Sequence, residues 1–144
     1  MNLHTDEKLF QEAVTATAQQ VGIPEIYIEK DYWLSLALKT IFQSELALDT
    51  VFKGGTALSK CYKLIERFSE DIDLVIIKKE DENDNQLKRK IKAITALVST
   101  VIPEIEVEGV TRKVGMLRKT AHAYQLSGFV GEFGQIRPQS GWPL

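Results

Sequence analysis

The sequence predicts an α+β fold, in which a mixed β-sheet is backed by helices, on the basis of three observations. Two N-terminal segments repeat apolar residues at helical spacing. Residues 69–77 are nearly continuously apolar after two aspartates, which is typical of a strand covered on both faces. The predicted elements follow one another in the order helix, helix, strand, helix, strand, helix, strands, which indicates one mixed sheet with helices packed against it.

The length and composition predict a single soluble domain. The chain has 144 residues, of which 44% are hydrophobic and 26% are charged, an ordinary balance for a globular protein. No apolar stretch approaches the roughly 20 residues that cross a bilayer, and residues 1–10 lack the basic and apolar regions of a signal peptide. We therefore predict a cytoplasmic protein with no membrane partner. The folded domain is predicted to span residues 1–137, with helices in 1–45 and an α/β unit in 50–137. An irregular tail is predicted over 138–144.

Two helices are predicted at the N-terminus, over residues 5–20 and 24–42. Gly22 and Pro24 separate them, as a helix stop and a favoured first-turn residue. The first helix is predicted from Leu9, Ala13, Ala16 and Gln20, which recur at helical spacing along one face. The second is predicted from Ile26, Trp33, Ala37 and Ile41, which recur in the same way.

The middle of the chain predicts a strand over residues 50–53, a helix over 57–65 and the apolar strand over 69–77.

An acidic loop over residues 78–85 then leads to a basic amphipathic helix over 86–101, which Pro103 ends. Apolar and acidic residues alternate over 104–110, which predicts a half-exposed edge strand. A further strand is predicted within 120–130, and the glycines and prolines beyond it predict an irregular C-terminal stretch.

A glycine pair, Gly54 and Gly55, lies where the first predicted strand gives way to a helix. Glycines there can adopt backbone angles closed to other residues and let a ligand approach the main chain closely. The free N–H groups and the positive dipole end of the following helix favour a phosphate, and Thr56 can cap the helix or bind a phosphate oxygen. The pattern by itself is more often only a turn.

Two aspartates, Asp71 and Asp73, lie two residues apart in the apolar strand, so both carboxylates leave the same face about 7 Å apart. Mg²⁺, or Mn²⁺ in its place, prefers such oxygen ligands and completes its shell with water and substrate phosphates. If the chain is already extended at Arg67, then Arg67 and Ser69 face the same way and bring a phosphate-binding cation beside the metal ligands. A lone Asp-x-Asp is also common at a solvated strand end. Here a phosphate cradle and paired metal ligands occur together, as phosphoryl transfer requires.

These residues resemble a known family. The block FKGGTALSK…RFSEDIDL, residues 52–74, is similar to the signature of the polymerase-beta-like nucleotidyltransferases. In detail it resembles the AbiEii/AbiGii toxins of bacterial abortive-infection and toxin–antitoxin systems. The segment IEKDYWL, residues 28–34, is similar to the N-terminal helix of that family. The resemblance covers about residues 5–137.

The resemblance implies a nucleotidyltransferase core with two N-terminal helices. It implies an enzyme that transfers a nucleotide from a nucleoside triphosphate to an acceptor. For some members of the family this acceptor is RNA, namely the end of a transfer RNA. A cognate antitoxin is the implied partner. Asp71 and Asp73 are the implied catalytic ligands of Mg²⁺. The residues implied in nucleotide binding are Gly54, Gly55, Thr56, Arg67, Ser69, Lys53 and Lys60, although either lysine could equally be a solvated side chain.

The C-terminal part departs from the family pattern. Polymerase-beta-like sites normally take a third carboxylate from a later strand, whereas here the resemblance fades after FGQIR, residues 133–137, and PQSGWPL contains no Asp or Glu. Glu132 precedes FGQIR and is a poor substitute, because the family carboxylate is expected to follow it. We therefore expect a C-terminally truncated gene product, a fragment, or half of a shared site, weak or inactive alone. The exposed sheet left by a missing strand would favour a homo-oligomer.

Other hypotheses stay open on the same residues. The chain could be a non-catalytic module that binds nucleotide or antitoxin, or an Asp-x-Asp glycosyltransferase, although such enzymes usually need a larger nucleotide-binding domain before that motif. Zinc is not expected, because the chain has one cysteine and two distant histidines, His4 and His122. Basic residues after the acidic loop could meet a polyanion, although a solvated helix face explains such charges more often. They are Lys88, Arg89, Lys90, Lys92, Arg112, Lys113, Arg118 and Lys119.

Overall fold

A computed structural model describes residues 2–54, 72–123 and 130–139 of the protein, with backbone alone for residue 123 and for 130–139. Three α-helices lie in these stretches: α1 (Glu7–Val21), α2 (Glu25–Phe42) and α3 (Asp84–Ser99). Short 3-10 turns occupy Leu3–Thr5 and Glu45–Asp49. The strands are β1 (Thr50–Lys53), β2 (Asp73–Ile77), β3 (Glu104–Ile105), β4 (Arg112–Val114), β5 (Leu117–Ala123) and β6 (Val130–Gln139). The predicted helix over residues 57–65 lies outside the described residues.

The strands form one mixed sheet in the order β1-β2-β6-β5-β3, and β4 pairs with β5. β2 and β6 are parallel, whereas the other pairs are antiparallel. The predicted α+β fold with a mixed, helix-backed sheet is therefore confirmed. No helix in the described stretches is long and apolar enough to cross a membrane.

Helix α1 buries a different face from the predicted one. Phe10, Val14 and Ala18 are buried, whereas Leu9 is 41% exposed. The aromatic ring explains the difference, because Phe10 packs 4.7 Å from the ring of Tyr32, measured between centroids. A ring buries more apolar area than a leucine, so it sets the rotation of the helix.

Helix α2 buries Trp33, Ala37 and Ile41 of the predicted face. The helix boundary is also as predicted: Gly22 ends α1 with φ of 72°. The N–H groups of Gly22 and Ile23 both donate to the carbonyl oxygen of Ala18, at 2.9 and 3.1 Å. These bonds satisfy the end of α1 and let α2 fold back on it.

Helix α3 starts two residues before its predicted first residue because Asn83 caps it. The side chain of Asn83 accepts a hydrogen bond from the N–H of Gln86, and the Gln86 side chain accepts one from the N–H of Asn83. This reciprocal pair fixes the entry of the helix. Leu87, Ile91, Ile94 and Val98 then face the core.

The core lies between the sheet and the helices. Ile72, Leu74 and Ile76 alternate along β2 and belong to the cluster that α1, α2 and α3 complete. Val75, on the other face, is only 4% exposed. The prediction of a strand covered on both faces is thus confirmed for residues 72–76.

The C-terminal stretch was predicted incorrectly. Residues 130–139 form β6, in the interior of the sheet between β2 and β5, and the strand passes the predicted boundary at residue 137. Pro138 is tolerated because the pairing of β5 with β6 ends at Ile136, so Pro138 is paired with β2 alone. Residues 140–144 of the predicted tail lie outside the described residues.

The predicted edge strand over residues 104–110 is shorter than expected. Only Glu104–Ile105 is a strand, because Gly109, with φ of 78°, reverses the chain. The N–H groups of Val110 and Thr111 both donate to the carbonyl of Val107 in this turn, and the strand β4 follows it. Strand β5 begins three residues before the predicted window.

Candidate nucleotide and metal site

The candidate site is built by the antiparallel pair β1 and β2. Their register places Lys53, the last residue of β1, directly opposite Asp73, the first residue of β2. Directly paired residues in a sheet have side chains on the same face. A cation and a carboxylate predicted from separate motifs are therefore neighbours.

Gly54 lies against the carboxylate of Asp73. A Cβ atom added to Gly54 would be 2.7 Å from Oδ2 of Asp73, and φ at this residue is +83°. Any side chain would clash with the carboxylate and would also strain the backbone. The positive φ favours glycine at this position, and the Asp73 carboxylate would have to shift to admit a Cβ.

The carboxylate of Asp73 is partly exposed in the part of the chain that the structure describes. Ile72 and Leu74 are each 3% exposed and point into the core, so Asp73 faces the other side of the sheet. Asp73 is half-buried, and the structure of the described residues shows no ion pair or hydrogen bond to its carboxylate. A carboxylate is the kind of oxygen donor that Mg²⁺ or Mn²⁺ prefers, although the described residues contain no cluster of three or more acidic, histidine or cysteine side chains that could hold a metal ion.

The structure brings together three of the predicted site residues: Lys53, Gly54 and Asp73. The other predicted residues lie outside the described stretches. They are Gly55, Thr56, Lys60, Arg67, Ser69 and Asp71.

Strand β6 is the neighbour of β2 on its other side, and its register bears on the third carboxylate. Leu74 pairs with Ile136, so Gln135 is level with Asp73, while Gln139 pairs with Ile77. Residues 133–139 contain no Asp or Glu, and Glu132 pairs with Ala121 of β5. In the described part of β6, therefore, no acidic residue is level with Asp73.

Sequence reasoning missed the position of Lys119. Lys119 pairs with Gln135, which is level with Asp73, so all three lie in one row across the sheet. Lys119 is half-buried and lies two strand spacings, about 10 Å, from Asp73 on the same face of the sheet. No local signal could have identified it, because the row depends on the register of three strands and on an irregularity after Lys119.

A charged cluster fastens the far end of the β1–β2 pair. Lys90 of α3 donates to Asp49 at 2.8 Å and contacts Glu82, while Lys79 lies 3.5 Å from Asp49. The hydrogen bond from Lys90 holds the pKa of the Asp49 carboxyl below its usual value, despite partial burial. Burial alone would lower the pKa of Lys90, but the bonds to Asp49 and Glu82 raise it overall. Asp49 precedes β1 and Glu82 follows β2, so this cluster is structural.

The comparisons with known proteins give one match. The family model described as nucleotidyl transferase AbiEii toxin, type IV toxin–antitoxin system, matches residues 36–136. Neither the comparison with curated proteins nor that with solved structures gave a match. The matched span contains the Lys53, Gly54 and Asp73 cluster and covers well over half of the chain. The chain therefore belongs to the AbiEii family of nucleotidyl transferase toxins.

Proposed function

We propose that this chain binds a nucleoside triphosphate and a divalent cation where β1 meets β2, for metal-dependent transfer of a nucleotide to an acceptor. The observation that carries the proposal is the close approach of the Asp73 carboxylate to Gly54, where it occupies the space that a Cβ would need. It joins the glycine turn, suited to phosphate, to a carboxylate suited to metal. Membership of the AbiEii family supports nucleotidyl transfer as the reaction class.

Each residue has a role in this proposal. Asp73, with Asp71, holds the cation, which neutralises phosphate charge when it is bound. The main chain at Gly54, Gly55 and Thr56 accommodates the phosphates, and Lys53 lies beside Asp73 to balance the remaining negative charge. The further proposed phosphate-binding residues are Lys60, Arg67 and Ser69.

The transfer joins the acceptor hydroxyl oxygen to the α-phosphorus, and the bond from that phosphorus to the β-phosphate oxygen breaks, so pyrophosphate leaves. The hydroxyl proton needs a base. Because residues 133–139 beside β2 contain no carboxylate, we propose that this chain turns over weakly, or not at all, by itself. The same observation favours the second candidate function, a non-catalytic module that binds nucleotide or antitoxin.

The remaining parts of the proposal rest on the family. An RNA acceptor such as transfer RNA, a cognate antitoxin and a cytoplasmic location fit a nucleotidyl transferase toxin of a toxin–antitoxin system. A second copy of the chain, paired through a sheet edge, is a further proposed partner.

Calorimetric titration with each nucleoside triphosphate, with and without Mg²⁺, tests the binding site. Asp73→Asn should weaken Mg²⁺-dependent nucleotide binding by about tenfold or more, because it removes a charged metal ligand. Asp81→Asn is the matched control, since Asp81 is exposed in the loop after β2 and the charge change is the same. Equal affinities for the two variants would remove Asp73 from the site.

Transfer is tested with labelled nucleoside triphosphates, Mg²⁺ and bulk RNA. We expect label to enter RNA slowly if at all with this chain, and to be lost in the variant carrying Asp71→Asn and Asp73→Asn. Transfer that survives both substitutions would exclude the proposed catalytic site. Tight nucleotide binding with no transfer would select the non-catalytic candidate.

A further inference from the structure

A basic cleft lies between α3 and the hairpin of β4 and β5. Its volume is about 360 Å³, and four of its lining side chains are cationic whereas none is acidic. The cations are Lys88, Lys92, Lys113 and Arg118, with Ile91 and Leu117 among the other lining residues. The formal net charge of the whole chain is −2, so positive charge is concentrated here against the overall balance.

The hairpin carries an unfavourable charge pattern. Lys113 is paired directly with Arg118, and both line the cleft, whereas Arg112 and Lys119 are paired on the opposite face of the hairpin. Like charges opposite each other destabilise a strand pair. An anion bound in the cleft would relieve the repulsion between Lys113 and Arg118, which an uncharged ligand could not do.

The cations of the cleft are arranged in two walls. Lys88 and Lys92 are exposed and lie four residues apart on α3, about 6 Å along its axis. Facing them, Arg118 is held in place by the bond from its Nε–H to the Thr95 hydroxyl, at 3.0 Å. That bond leaves the terminal nitrogens of the guanidinium free to bind a phosphate.

Two cations of the cleft are partly balanced. Lys113 contacts Glu104, at the rim of the cleft. The structure of the described residues shows no ion pair for Lys88 or Lys92. The pKa of the Asp84 carboxyl, one turn before Lys88, is lowered mainly by the hydrogen bond from Lys78 and in part by the charge of Lys88. Lys88 is therefore partly balanced, and Lys92 carries the remaining positive charge of the helix wall.

We infer that this cleft binds the phosphodiester backbone of a nucleic-acid strand. Lysines one helical turn apart and an oriented arginine suit successive phosphates. A protein partner would be expected to insert aromatic or other apolar anchors, and Ile91 and Leu117 offer little apolar surface for them. The inference concerns affinity for nucleic acid and does not depend on nucleotide transfer.

The cleft is separate from the site at Asp73. Arg118 pairs with Ile136, which pairs with Leu74, so Arg118 shares the core-facing side of the sheet with Leu74 and α3. Asp73 faces the opposite side. A strand bound in the cleft therefore leaves the space beside Gly54 and Asp73 open to nucleotide.

Fluorescence anisotropy with a labelled 20-nucleotide strand tests the inference, in EDTA and without nucleoside triphosphate, so that failure of the proposed catalytic function cannot affect the result. Lys92→Glu should weaken binding about tenfold, and Lys92→Gln should lower the slope of log affinity against log salt by about 0.7. RNA and DNA strands of one sequence are compared in parallel, and a preference for either identifies the source of the backbone.

The matched control is Lys8→Glu, which makes the same charge change on α1, where the Lys8 side chain is 88% exposed. An equal loss of binding in Lys8→Glu and Lys92→Glu would show a general charge effect and overturn the inference. So would no binding by the unmodified chain. Polyglutamate that displaces the strand at equal charge concentration would assign the cleft to an acidic polypeptide instead.

Discussion

Gly54 joins two requirements in one residue. Its φ of +83° is open chiefly to glycine, and the carboxylate of Asp73 occupies the space that a Cβ would need. The first requirement could be met at many turns of a protein. The second ties this position to β2 and to Asp73, the proposed metal ligand, so the close approach is a property of the candidate site.

We predict that Gly54→Ala displaces either the backbone at residue 54 or the carboxylate of Asp73, because the added Cβ needs the space that the carboxylate occupies. Nucleotide binding should weaken about tenfold or more. Gly109→Ala is the control, since Gly109 has φ of +78° with nothing within 4 Å of an added Cβ. Both variants should lose about 1–2 kcal/mol of stability from the backbone strain. Calorimetric titration then separates them, and equal nucleotide affinity in the two variants would contradict the prediction.

His122 is a buried histidine in a structural position. Its Nδ1–H donates to the carbonyl of Ile102 at 2.8 Å, and Nε2 lies 3.1 Å from the Thr120 hydroxyl. Burial lowers the pKa of its imidazole, and the bond to Ile102 opposes this effect only in part. The folded state therefore keeps His122 neutral at pH values where the unfolded chain binds a proton.

We predict that the free energy of unfolding falls as the pH decreases below about 6.5, the ordinary pKa of an unfolded histidine, and continues to fall toward the lowered folded pKa. Urea denaturation between pH 8 and pH 5 measures this dependence. His122→Gln removes the ionisable group, so its slope in that range should be smaller. An unchanged slope would show that His122 is not responsible.

At the scale of elements, helix α3 fastens β1 to β2 at the end of the pair that lies away from Lys53 and Asp73. Lys90 bonds Asp49 before β1 and contacts Glu82 after β2, and the side chain of Lys90 is only 18% exposed. Removal of the cation would leave two carboxylates close together with little solvent. The position of β1 relative to β2, and hence of Gly54 relative to Asp73, depends on such fastening.

We predict that Lys90→Met destabilises the chain by about 1–3 kcal/mol, the range for hydrogen bonds to charged groups. Lys92→Met, an exposed neighbour on the same helix, should change stability by less than about 0.5 kcal/mol. The difference should shrink below about pH 4, because the lowered pKa values of Asp49 and Glu82 mean that their stabilising charge is lost as pH falls. Urea denaturation at pH 7 and pH 3.5 checks both expectations.

Local sequence patterns predicted the positions of helices and strands better than they predicted which face of a helix is buried. Strand β1 has its predicted bounds, Thr50–Lys53, and α2 begins within one residue of its prediction. The predicted buried face of α1 was wrong because Phe10 packs against the ring of Tyr32 in α2. The prediction of an irregular stretch after residue 130 was wrong. Its glycines and Pro138 follow no regular pattern, but pairing with β2 and β5 makes the stretch a strand.

At the scale of the whole molecule, the sheet is assembled from distant parts of the chain. Strand β2 lies between β1 and β6, and its residues Leu74, Val75 and Ile76 are all buried. Strand β4, in contrast, pairs with β5 alone among the described strands, and all three of its residues are exposed.

We predict that amide hydrogen exchange is slowest in β2 and fastest, among the strands, in β4, because local opening costs little where few groups are buried. Exchange followed by mass spectrometry or NMR measures the order. Nucleotide with Mg²⁺ should slow exchange at the end of β1 and the start of β2 and leave β4 unchanged. Equal rates in β2 and β4 without ligand would contradict the proposed core.

The sequence by itself determined the class of fold, the N-terminal helices, the strand at 50–53, a strand predicted over 69–77 that the structure shows at Asp73–Ile77, and the two motifs that resemble AbiEii toxins. These depend on local spacing and residue type, which a single segment contains. Only the tertiary structure decided that Gly54 touches Asp73, that Lys53 is opposite Asp73, and that Lys119 and Gln135 are level with it. Such contacts depend on strand register, which is set by burial and pairing between segments far apart in the chain.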